Sequence, residues 1–401
     1  MGEYSRQEAA DRAGVTVDDV TRLVELGILE PGGDDRFSDG DVRRLAFVQS
    51  FVAAGVPLDG LATEIHNGSL SLAWLDSPTF ESFASFSGVT FQDLSTQTGV
   101  PVELLMVMRE AIGAALPAAD DRVREDEMAI VPLIRAQVEA GFNHAIIERG
   151  LRAIGDSMRR VAEVEADWFR SEVIRRIASG KTGTEISAIA SESRELFAPL
   201  SEQARRAIYD AHEARAITSN TIGGFEGQLA SAGLVGRLDR PPAMCFLDIT
   251  GYTRLTQERG DAAAADLAEQ LARLVHRTSV KHGGRPVKWL GDGVMFHFRD
   301  PGPGVLAALE MVAGVAEAGL PPAHVGLHAG PVIFQEGDYY GQTVNVASRI
   351  ADYARQGEVV VSQAVVDASE EAGLSFTEIG PVELKGVAGA IRLHSARRRE
   401  Q

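Results

Sequence analysis

The stretch AMCFLDITGYT, residues 243–253, decides the fold of the C-terminal part of the chain. It begins with a run of apolar residues, which predicts a strand buried on both faces. Asp248 ends the run, and the residues after it turn into a helix. A second stretch, KWLGDGVMFHF at residues 288–298, predicts a β-hairpin with the glycine-framed Asp292 at its tip. Together the two stretches predict a sheet that presents an aspartate at a strand end and another at a turn.

Short apolar segments alternate with helices through the rest of this region. We predict strands at residues 243–248, 285–290, 294–299, 324–329, 331–335 and 358–362. We predict helices at residues 261–281, 304–318 and 343–355. The alternation of strands, helices and hairpins predicts an α+β domain over residues 241–396.

Asp248 and Asp292 form a candidate site for a divalent cation. A carboxylate at a strand end lies beside the backbone N–H groups of the following turn, and these groups can hold phosphates that the cation bridges. Two carboxylates together with phosphate oxygens are a common environment for Mg²⁺. Taken singly, each aspartate has an ordinary explanation, since Asp248 could cap a helix and Asp292 could favour a turn.

Four further polar side chains fit a phosphate or nucleotide ligand. Lysine is rare in this arginine-rich chain, and Lys288 lies within a predicted strand, which suggests a need for a compact positive charge. Asn345 and Arg349 are four residues apart on a predicted helix, so they share a face and can stabilise charge that develops on a phosphate. Asp338 precedes that helix and could accept a hydrogen bond from an amino group. The alternative for Lys288 is a solvated strand face.

The motifs FLDITGYT, KWLGDGVMFHF, GLHAGPV and DYYGQTVNVASRI follow one another between residues 246 and 350. In this order they resemble the catalytic domain of class III nucleotide cyclases. The resemblance implies a ferredoxin-like α+β fold for the domain. It also implies a metal site formed by Asp248, Ile249 and Asp292, which would bind two Mg²⁺ or Mn²⁺ ions in each active site.

The resemblance implies roles for the remaining site residues as well. Lys288 and Asp338 would recognise the adenine edge, because guanylate-specific relatives carry glutamate with cysteine or serine at these positions. Asn345 and Arg349 would stabilise the transition state. Lys385, in the looser motif VELKGV, would contact the terminal phosphates. The turn residues that would bind the substrate phosphates are Ile249, Thr250, Gly251, Tyr252 and Thr253.

The implied reaction converts ATP to 3′,5′-cyclic AMP and pyrophosphate. The ribose 3′-oxygen attacks the α-phosphorus, and metal ions lower the pKa of the attacking hydroxyl. In the family, one chain supplies the metal-binding aspartates and the other supplies the purine-reading residues, the asparagine and the arginine. Because this chain carries all of them, the resemblance implies a homodimer with two equivalent sites.

The first 75 residues predict short helices separated by turns. Ser5 predicts a helix start, residues 17–26 a second helix, and Ser38 the start of a third helix at residues 39–54. The spacing of YSRQEAADRAGVTVDDV, LGILEP, RFSDGDVRRL and AAGVPLDGL resembles the winged helix–turn–helix of MerR-type regulators. We therefore predict a helix–turn–helix unit over residues 1–75.

A second unit with the same pattern is predicted at residues 87–178. Gly27 and Gly113 lie 86 positions apart, as do Gly55 and Gly141, and the residues around them are similar in type. Self-similarity at a fixed offset suggests two copies of one unit, although glycine turns between helices can also recur by chance. The sequence therefore predicts an all-α N-terminal half.

Residues 179–240 are predicted to form a helical linker with a glycine-rich hinge at residues 218–227. Upstream of the linker, an apolar stripe with helical spacing is typical of a core or a dimer interface. The stripe consists of Leu151, Ile154, Met158, Val161, Val164 and Trp168.

The length of the chain and the join between its helical half and its catalytic domain resemble the actinobacterial acid-responsive adenylyl cyclases. This resemblance implies that the N-terminal half regulates the cyclase, with pH as the signal. His212 in the linker is the candidate titrating residue, because histidine charges near physiological pH and Asp210 and Glu213 lie beside it. The alternative is that His212 is a solvated helix residue.

The charge of the chain bears on its partners. The net charge is −18 at pH 7, and residues 17–25, which would be the recognition helix, hold three acids and one base. Such a surface disfavours DNA binding. The alternative function is nevertheless a MerR-like transcription regulator with a nucleotide-sensing, cyclase-like domain.

Composition narrows the remaining classes. No apolar run is long enough to cross a membrane, and a single cysteine, Cys245, excludes an intrachain disulfide. These features predict a cytoplasmic protein without an integral membrane segment. Whether the N-terminal half binds a lipid or another small ligand stays open.

Overall fold

The computed structural model of the chain describes residues 4–77, 80, 85–177, 179–233, 241–291, 293–335, 337–369 and 373–399. The chain divides into two compact units, Met1–Thr218 and Ser219–Gln401, which are described separately below. Within the described residues, no helix combines the length and the apolar character that crossing a membrane requires.

The N-terminal unit is almost entirely helical. Its helices are α1 (Arg6–Ala13), α2 (Val17–Glu25), α3 (Asp39–Ala53), α4 (Leu58–His66), α5 (Phe91–Thr98), α6 (Val102–Ala111), α7 (Glu125–Met128), α8 (Val131–Glu139), α9 (His144–Trp168), α10 (Arg175–Ile177) and α11 (Gly183–Ser231), the last of which continues into the second unit. Its two short strands are β1 (Phe86–Thr90) and β2 (Arg122–Arg124), which pair antiparallel.

Local capping sets the starts of these helices. Ser5 accepts from the backbone N–H of Glu8, whose side chain accepts from the backbone N–H of Ser5 in return, and Ser38 forms the same reciprocal pair with Asp41. Each box satisfies backbone donors that a helix start leaves unpaired. The helix starts predicted at Ser5 and Ser38 are therefore observed.

One helix in each of the two predicted helical units starts and ends in the same way. Thr90 caps α5 as Ser5 caps α1, and both helices end at a left-handed glycine, Gly14 and Gly99. Within the second predicted unit, Arg109 and the fully buried Glu127 form an ion pair of 2.7 Å. A common origin of the two segments stays an interpretation of the sequence.

The two long helices, α9 and α11, contain the predicted apolar stripe and the predicted hinge. Most of the apolar stripe on α9 is exposed within its unit. Leu151 lies in a core cluster, whereas Ile154, Met158 and Trp168 are 58%, 51% and 64% exposed. The hinge predicted at residues 218–227 lies within α11, which runs to Ser231 without a break, and it stays a prediction. A helical glycine costs only about 1 kcal/mol relative to alanine, which a helix extended on both sides can tolerate.

The C-terminal unit is an α+β domain. Its strands are β3 (Ala243–Ile249), β4 (Gly284–Leu290), β5 (Gly293–Phe298), β6 (Ala323–Ala329), β7 (Ile333–Gln335), β8 (Asp338–Tyr340), β9 (Val359–Ser362), β10 (Leu374–Glu383) and β11 (Ala390–Arg398). Its helices are α12 (Tyr252–Lys281), α13 (Pro301–Glu317), α14 (Gln342–Tyr353) and α15 (Gln363–Ala368).

Seven strands form one sheet in the order β10-β11-β9-β6-β3-β5-β4. The central strand β3 pairs antiparallel with both β5 and β6, whereas β6 and β9 are parallel. Strands β7 and β8 form a separate hairpin. The mixed sheet with helices confirms the predicted α+β class.

Strand β3 is buried on both faces, as its apolar run predicts. Cys245 and Leu247 lie in the core cluster that includes residues of α12 and α13, and burial raises the pKa of the Cys245 thiol. Met244 and Phe246 lie in the cluster on the other side, with residues of α14. This packing holds the end of β3, where Asp248 lies, between the two helical layers.

Candidate active site

Asp248 occupies the end of β3 with its side chain 44% exposed. In the β3–β5 register it lies opposite Gly293. A Cβ atom at position 293 would come within 3.3 Å of Oδ1 of Asp248 and 3.2 Å of the Leu247 carbonyl oxygen. The glycine therefore keeps space open beside the carboxylate, which is what a bound cation needs.

His324 of β6 lies against the same carboxylate. Its Nε2 is 3.6 Å from Oδ2 of Asp248, and its Nδ1 is 3.3 Å from Oγ1 of Thr250. The backbone N–H of Thr250 donates to the Pro322 carbonyl at 2.9 Å, so this N–H is already used within the protein. Gly251 begins α12 with a φ of 82°, a conformation that favours glycine.

The second predicted metal ligand, Asp292, lies outside the described residues, and so do the side chains of Tyr252 and Thr253. Among the side chains that the structure does describe, no three of histidine, cysteine, aspartate or glutamate gather into a metal cluster. Ile249, predicted to join the metal site, is buried at the end of β3 beside Asp248.

The two residues predicted to recognise a purine meet each other. Nζ of Lys288, in the edge strand β4, donates to Oδ2 of Asp338, the first residue of β8. The lysine side chain is 41% exposed and the aspartate side chain 20%. The fold thus joins two motifs that are 50 residues apart into one polar edge that solvent reaches.

Helix α14 presents Asn345 and Arg349 on its exposed side. The residues that follow each of them, Val346 and Ile350, are buried and hold the helix to the domain. Close packing also requires Gly326 of β6, because a Cβ atom there would overlap the α14 backbone. Arg349 pairs with Asp352 at 2.6 Å.

Lys385 and His212, the other two predicted site residues, are both exposed. Lys385 is exposed in the turn between β10 and β11. His212 is exposed on α11, where Asp210 pairs with Arg206 at 2.8 Å and Glu213 accepts from the hydroxyl of Tyr209 at 3.3 Å. Residues two before and one after a helical position do not face it, so the two acids are poorly placed to act on His212.

Three residues that the sequence did not single out lie together beside Lys288 and Asp338. Arg285 donates to the hydroxyl of Tyr339 at 2.8 Å, and the ring of His297 stacks on the Tyr339 ring. The available signal was an arginine and a histidine on the two paired strands of the hairpin that also carries Lys288. This pair of residues indicates a site only once Tyr339 of β8 is placed beside them, and strand β8 was not predicted.

Comparisons with known proteins agree with the motifs. Residues 240–396 match the adenylate and guanylate cyclase catalytic domain. A pH-sensitive adenylate cyclase of Mycobacterium tuberculosis is 29% identical over 328 residues, which cover 77% of this chain and 78% of that protein. An adenylate cyclase of Streptomyces coelicolor is 28% identical over 272 residues, which cover 67% of this chain and 68% of that protein.

Among solved structures, the adenylyl cyclase CyaB from P. aeruginosa is 20% identical and covers 40% of this chain and 96% of that chain, with a TM-score of 0.35. The MerR-type resemblance of residues 1–75 stays a prediction.

Proposed function

We propose that this chain, whose residues 240–396 match the adenylate and guanylate cyclase catalytic domain, converts ATP to 3′,5′-cyclic AMP and pyrophosphate. The observation that carries the choice of ATP is the pairing of Lys288 with Asp338. The curated relatives named adenylate cyclase support the same choice. Because ATP is the substrate, we place the enzyme in the cytoplasm.

Purine selection follows from hydrogen-bond chemistry. Adenine offers an amino group that the Asp338 carboxylate can accept from, and a neighbouring ring nitrogen that the Lys288 ammonium can donate to. Guanine reverses both partners, so its carbonyl oxygen would face the carboxylate. A site built for one hydrogen-bond pattern can reject the other by several orders of magnitude.

The chain supplies charge stabilisation at the reacting phosphate. Asn345 and Arg349 present an amide and a guanidinium on the exposed side of α14, where they can donate to the α-phosphate as negative charge develops. Lys385 would hold the terminal phosphates as a point charge. No protein nucleophile is needed, because the attacking oxygen belongs to the ribose.

Asp248 would hold the divalent ions, and Gly293 supports this because it places no side chain against the carboxylate. Ile249 and Asp292 complete the proposed set, which would bind two Mg²⁺ or Mn²⁺ ions. When bound, such ions lower the pKa of the ribose hydroxyl and neutralise phosphate charge. The carboxylate of Asp248 contributes the negative charge that keeps the ions at the end of β3.

The test of the activity uses the purified full chain with ATP or GTP and either metal. Cyclic AMP should form, and GTP should react at least about a hundredfold more slowly. Asp248→Asn should abolish the product, whereas Asp367→Asn, at an exposed position of α15, should not. Equal turnover of GTP would contradict the purine assignment.

The same proposal includes a homodimer in which each active site draws residues from both chains. One chain would supply Asp248, and its partner would supply Lys288, Asn345 and Arg349. The exposed apolar stripe on α9 supports a second copy, since three of its side chains are more than half exposed.

Mixing inactive variants tests the shared site. Asp248→Asn mixed with Lys288→Ala should regain about a quarter of the wild-type activity, because random exchange makes half the dimers mixed and each mixed dimer has one intact site. Lys288→Ala mixed with Asn345→Ala should regain nothing, because those residues come from the same chain. Equal recovery in both mixtures would contradict the arrangement.

Regulation by the N-terminal half, with pH as its signal, is the last part of the proposal. The M. tuberculosis relative named pH-sensitive matches over 77% of this chain, which extends well beyond the catalytic domain. His212 stays the candidate residue, although the neighbouring acids are engaged elsewhere on α11.

The alternative, a DNA-binding regulator, is disfavoured by α2. Arg22 is the only basic residue of this helix, and it pairs with Asp59 at 3.0 Å and with Glu25 at 3.8 Å. A helix whose one cation is already paired with acids offers little to phosphates. A submicromolar complex with duplex DNA at physiological salt would reverse this conclusion.

A further inference from the structure

Tyr339 lies in an apolar cluster with Met244 and Met295 and also has polar and aromatic partners. Its side chain is 8% exposed, and its hydroxyl accepts from Arg285 at 2.8 Å. The ring stacks on His297 with centroids 4.4 Å apart and planes 5° apart, and Phe334 lies 5.0 Å away. The Arg285 guanidinium also lies over the Phe334 ring, 5.0 Å from its centroid.

This cluster is continuous with the residues proposed to recognise the purine. The backbone N–H of Tyr339 donates to Oδ1 of Asp338 at 2.8 Å, while Lys288 donates to Oδ2. Both oxygens of one carboxylate are therefore held, one by the lysine and one by the backbone of the buried tyrosine. A shift of the Tyr339 backbone would change the hydrogen bond that holds this carboxylate.

A β-bulge makes the arrangement possible. Arg285 and Lys288 are three residues apart, so in a regular strand their side chains would point to opposite faces. The β4–β5 register shifts between Pro286 and Lys288, which inserts one residue and returns both side chains to the same side. Both then reach the β7–β8 hairpin, one at Tyr339 and the other at Asp338.

We propose that Tyr339, fixed by Arg285 and His297, is a positioning residue that sets the preference for ATP over GTP by holding the Asp338 carboxylate against Lys288. The inference rests on the proposed cyclase function. Asp338 can reject a guanine carbonyl only while its carboxylate stays oriented toward the purine. Hydrogen bonds to both of its oxygens fix that orientation.

The charge state of the cluster is consistent with this role. Burial, with a further contribution from the Arg285 charge, lowers the pKa of His297 to about 4. The ring that stacks on Tyr339 is therefore neutral under physiological conditions, so it does not repel Arg285. His297 therefore contributes no change of charge across the pH range in which the enzyme would work.

The test compares Tyr339→Phe with Tyr340→Phe in the full-length protein. Tyr339→Phe removes the hydroxyl that Arg285 binds and keeps the ring, whereas Tyr340 is 48% exposed on the same hairpin and serves as the matched control. The measured quantity is the ratio of kcat/KM for ATP to kcat/KM for GTP. We expect Tyr339→Phe to lower this ratio about tenfold, the scale of one hydrogen bond. Its kcat for ATP should stay within about twofold, because Asn345 and Arg349 are untouched.

A second variant breaks the hydrogen bond between Arg285 and Tyr339 from the arginine side. Arg285→Met removes the donor from an exposed position and should lower the ratio at least as far as Tyr339→Phe does, because it also removes the contact with the Phe334 ring. The double variant should lower the ratio no further than Arg285→Met alone, because that change already breaks the hydrogen bond to Tyr339.

The outcomes separate the two proposals. A wild-type protein that makes no cyclic AMP from ATP overturns the proposed function, and this inference with it. A wild-type protein that makes cyclic AMP, with a Tyr339→Phe ratio equal to that of Tyr340→Phe, overturns this inference alone.

Discussion

Asn345 and Arg349 are useful residues for separating chemistry from folding. Both are exposed on α14, while the side chains that anchor the helix, Val346 and Ile350, are buried. The only ion pair recorded for Arg349 among the described residues is with Asp352, one turn along the helix, and exposed pairs of this kind contribute less than about 1 kcal/mol. A loss of activity on substitution therefore reports on the reaction.

We predict that Arg349→Ala lowers kcat for ATP about 10²- to 10³-fold, because a donor to developing phosphate charge is lost. The thermal midpoint should hardly move. Arg355→Ala, just beyond α14, is the control and should keep wild-type kcat. Steady-state kinetics with ATP measure both variants, and an Arg349→Ala enzyme with normal kcat would remove this residue from the mechanism.

His297 makes a second prediction, which concerns acid stability. Burial, and then the Arg285 charge, lower its pKa to about 4 in the folded protein. Unfolded, it would titrate near about 6.5. Between these values the unfolded chain binds a proton that the folded chain does not, so stability falls as the pH drops from about 6.5 to about 4. The loss from this residue is at most about 3 kcal/mol.

His297→Gln should therefore flatten the acid dependence of the thermal midpoint between pH 4.5 and 7, whatever it does to stability at neutral pH. The exposed His276 of α12 provides the matched control, and His276→Gln should keep the wild-type slope. Identical slopes for wild type and His297→Gln would show that His297 is not the group that resists protonation.

At the scale of elements, α11 shows how context outweighs a local signal. Gly223 and Gly224 would loosen a free peptide, yet the helix passes through both. Neither glycine has a positive φ, and an added Cβ atom at either position would meet no atom within 4 Å. The two glycines therefore reduce the stability of α11 without interrupting it.

Gly224→Ala is accordingly predicted to strengthen α11 by about 1 kcal/mol. Hydrogen exchange of the surrounding backbone amides should slow about fivefold. Gly55→Ala is the contrasting variant, since a φ of 79° strains any L side chain and should destabilise the protein. Faster hydrogen exchange in Gly224→Ala than in the wild type would instead support a hinge at these glycines.

At the scale of the whole molecule, the open question is how a helical half can govern a catalytic half. Active sites that draw residues from two chains would be disabled by a small relative shift of those chains. Coupling between a regulatory and a catalytic site is commonly worth 5- to 150-fold in affinity or activity. An N-terminal helical region joined to the catalytic domain through α11 is suited to impose such a shift.

Removing residues 1–235 should change the cyclase rate at least about fivefold and alter its dependence on pH between 5.5 and 8. The assay compares the full-length protein, the truncated protein and His212→Gln. Superimposable pH profiles of the full-length and truncated proteins would rule out acid sensing by the N-terminal half. A response lost in the truncation and kept in His212→Gln would retain the regulatory half and discard this histidine.

The sequence by itself determined the features that depend on neighbouring residues. The apolar run before Asp248 specified a strand buried on both faces, and the serines at positions 5 and 38 specified helix starts, because a cap and its partner lie three residues apart. The order of the motifs was enough to indicate a cyclase domain. These signals are local, so a linear reading captures them.

Only the tertiary structure decided the features that depend on distant partners. Strands β8, β10 and β11 were missed because their half-exposed residues gain stability from pairing, which the sequence does not display. Arg285 meets Tyr339, 54 residues away, through the β7–β8 hairpin, and a bulge in β4 places Lys288 on the same side. The continuity of α11 depends on the helix on either side of its glycines. In each case the deciding free energy comes from contacts or cooperativity across the fold, which no short stretch of sequence contains.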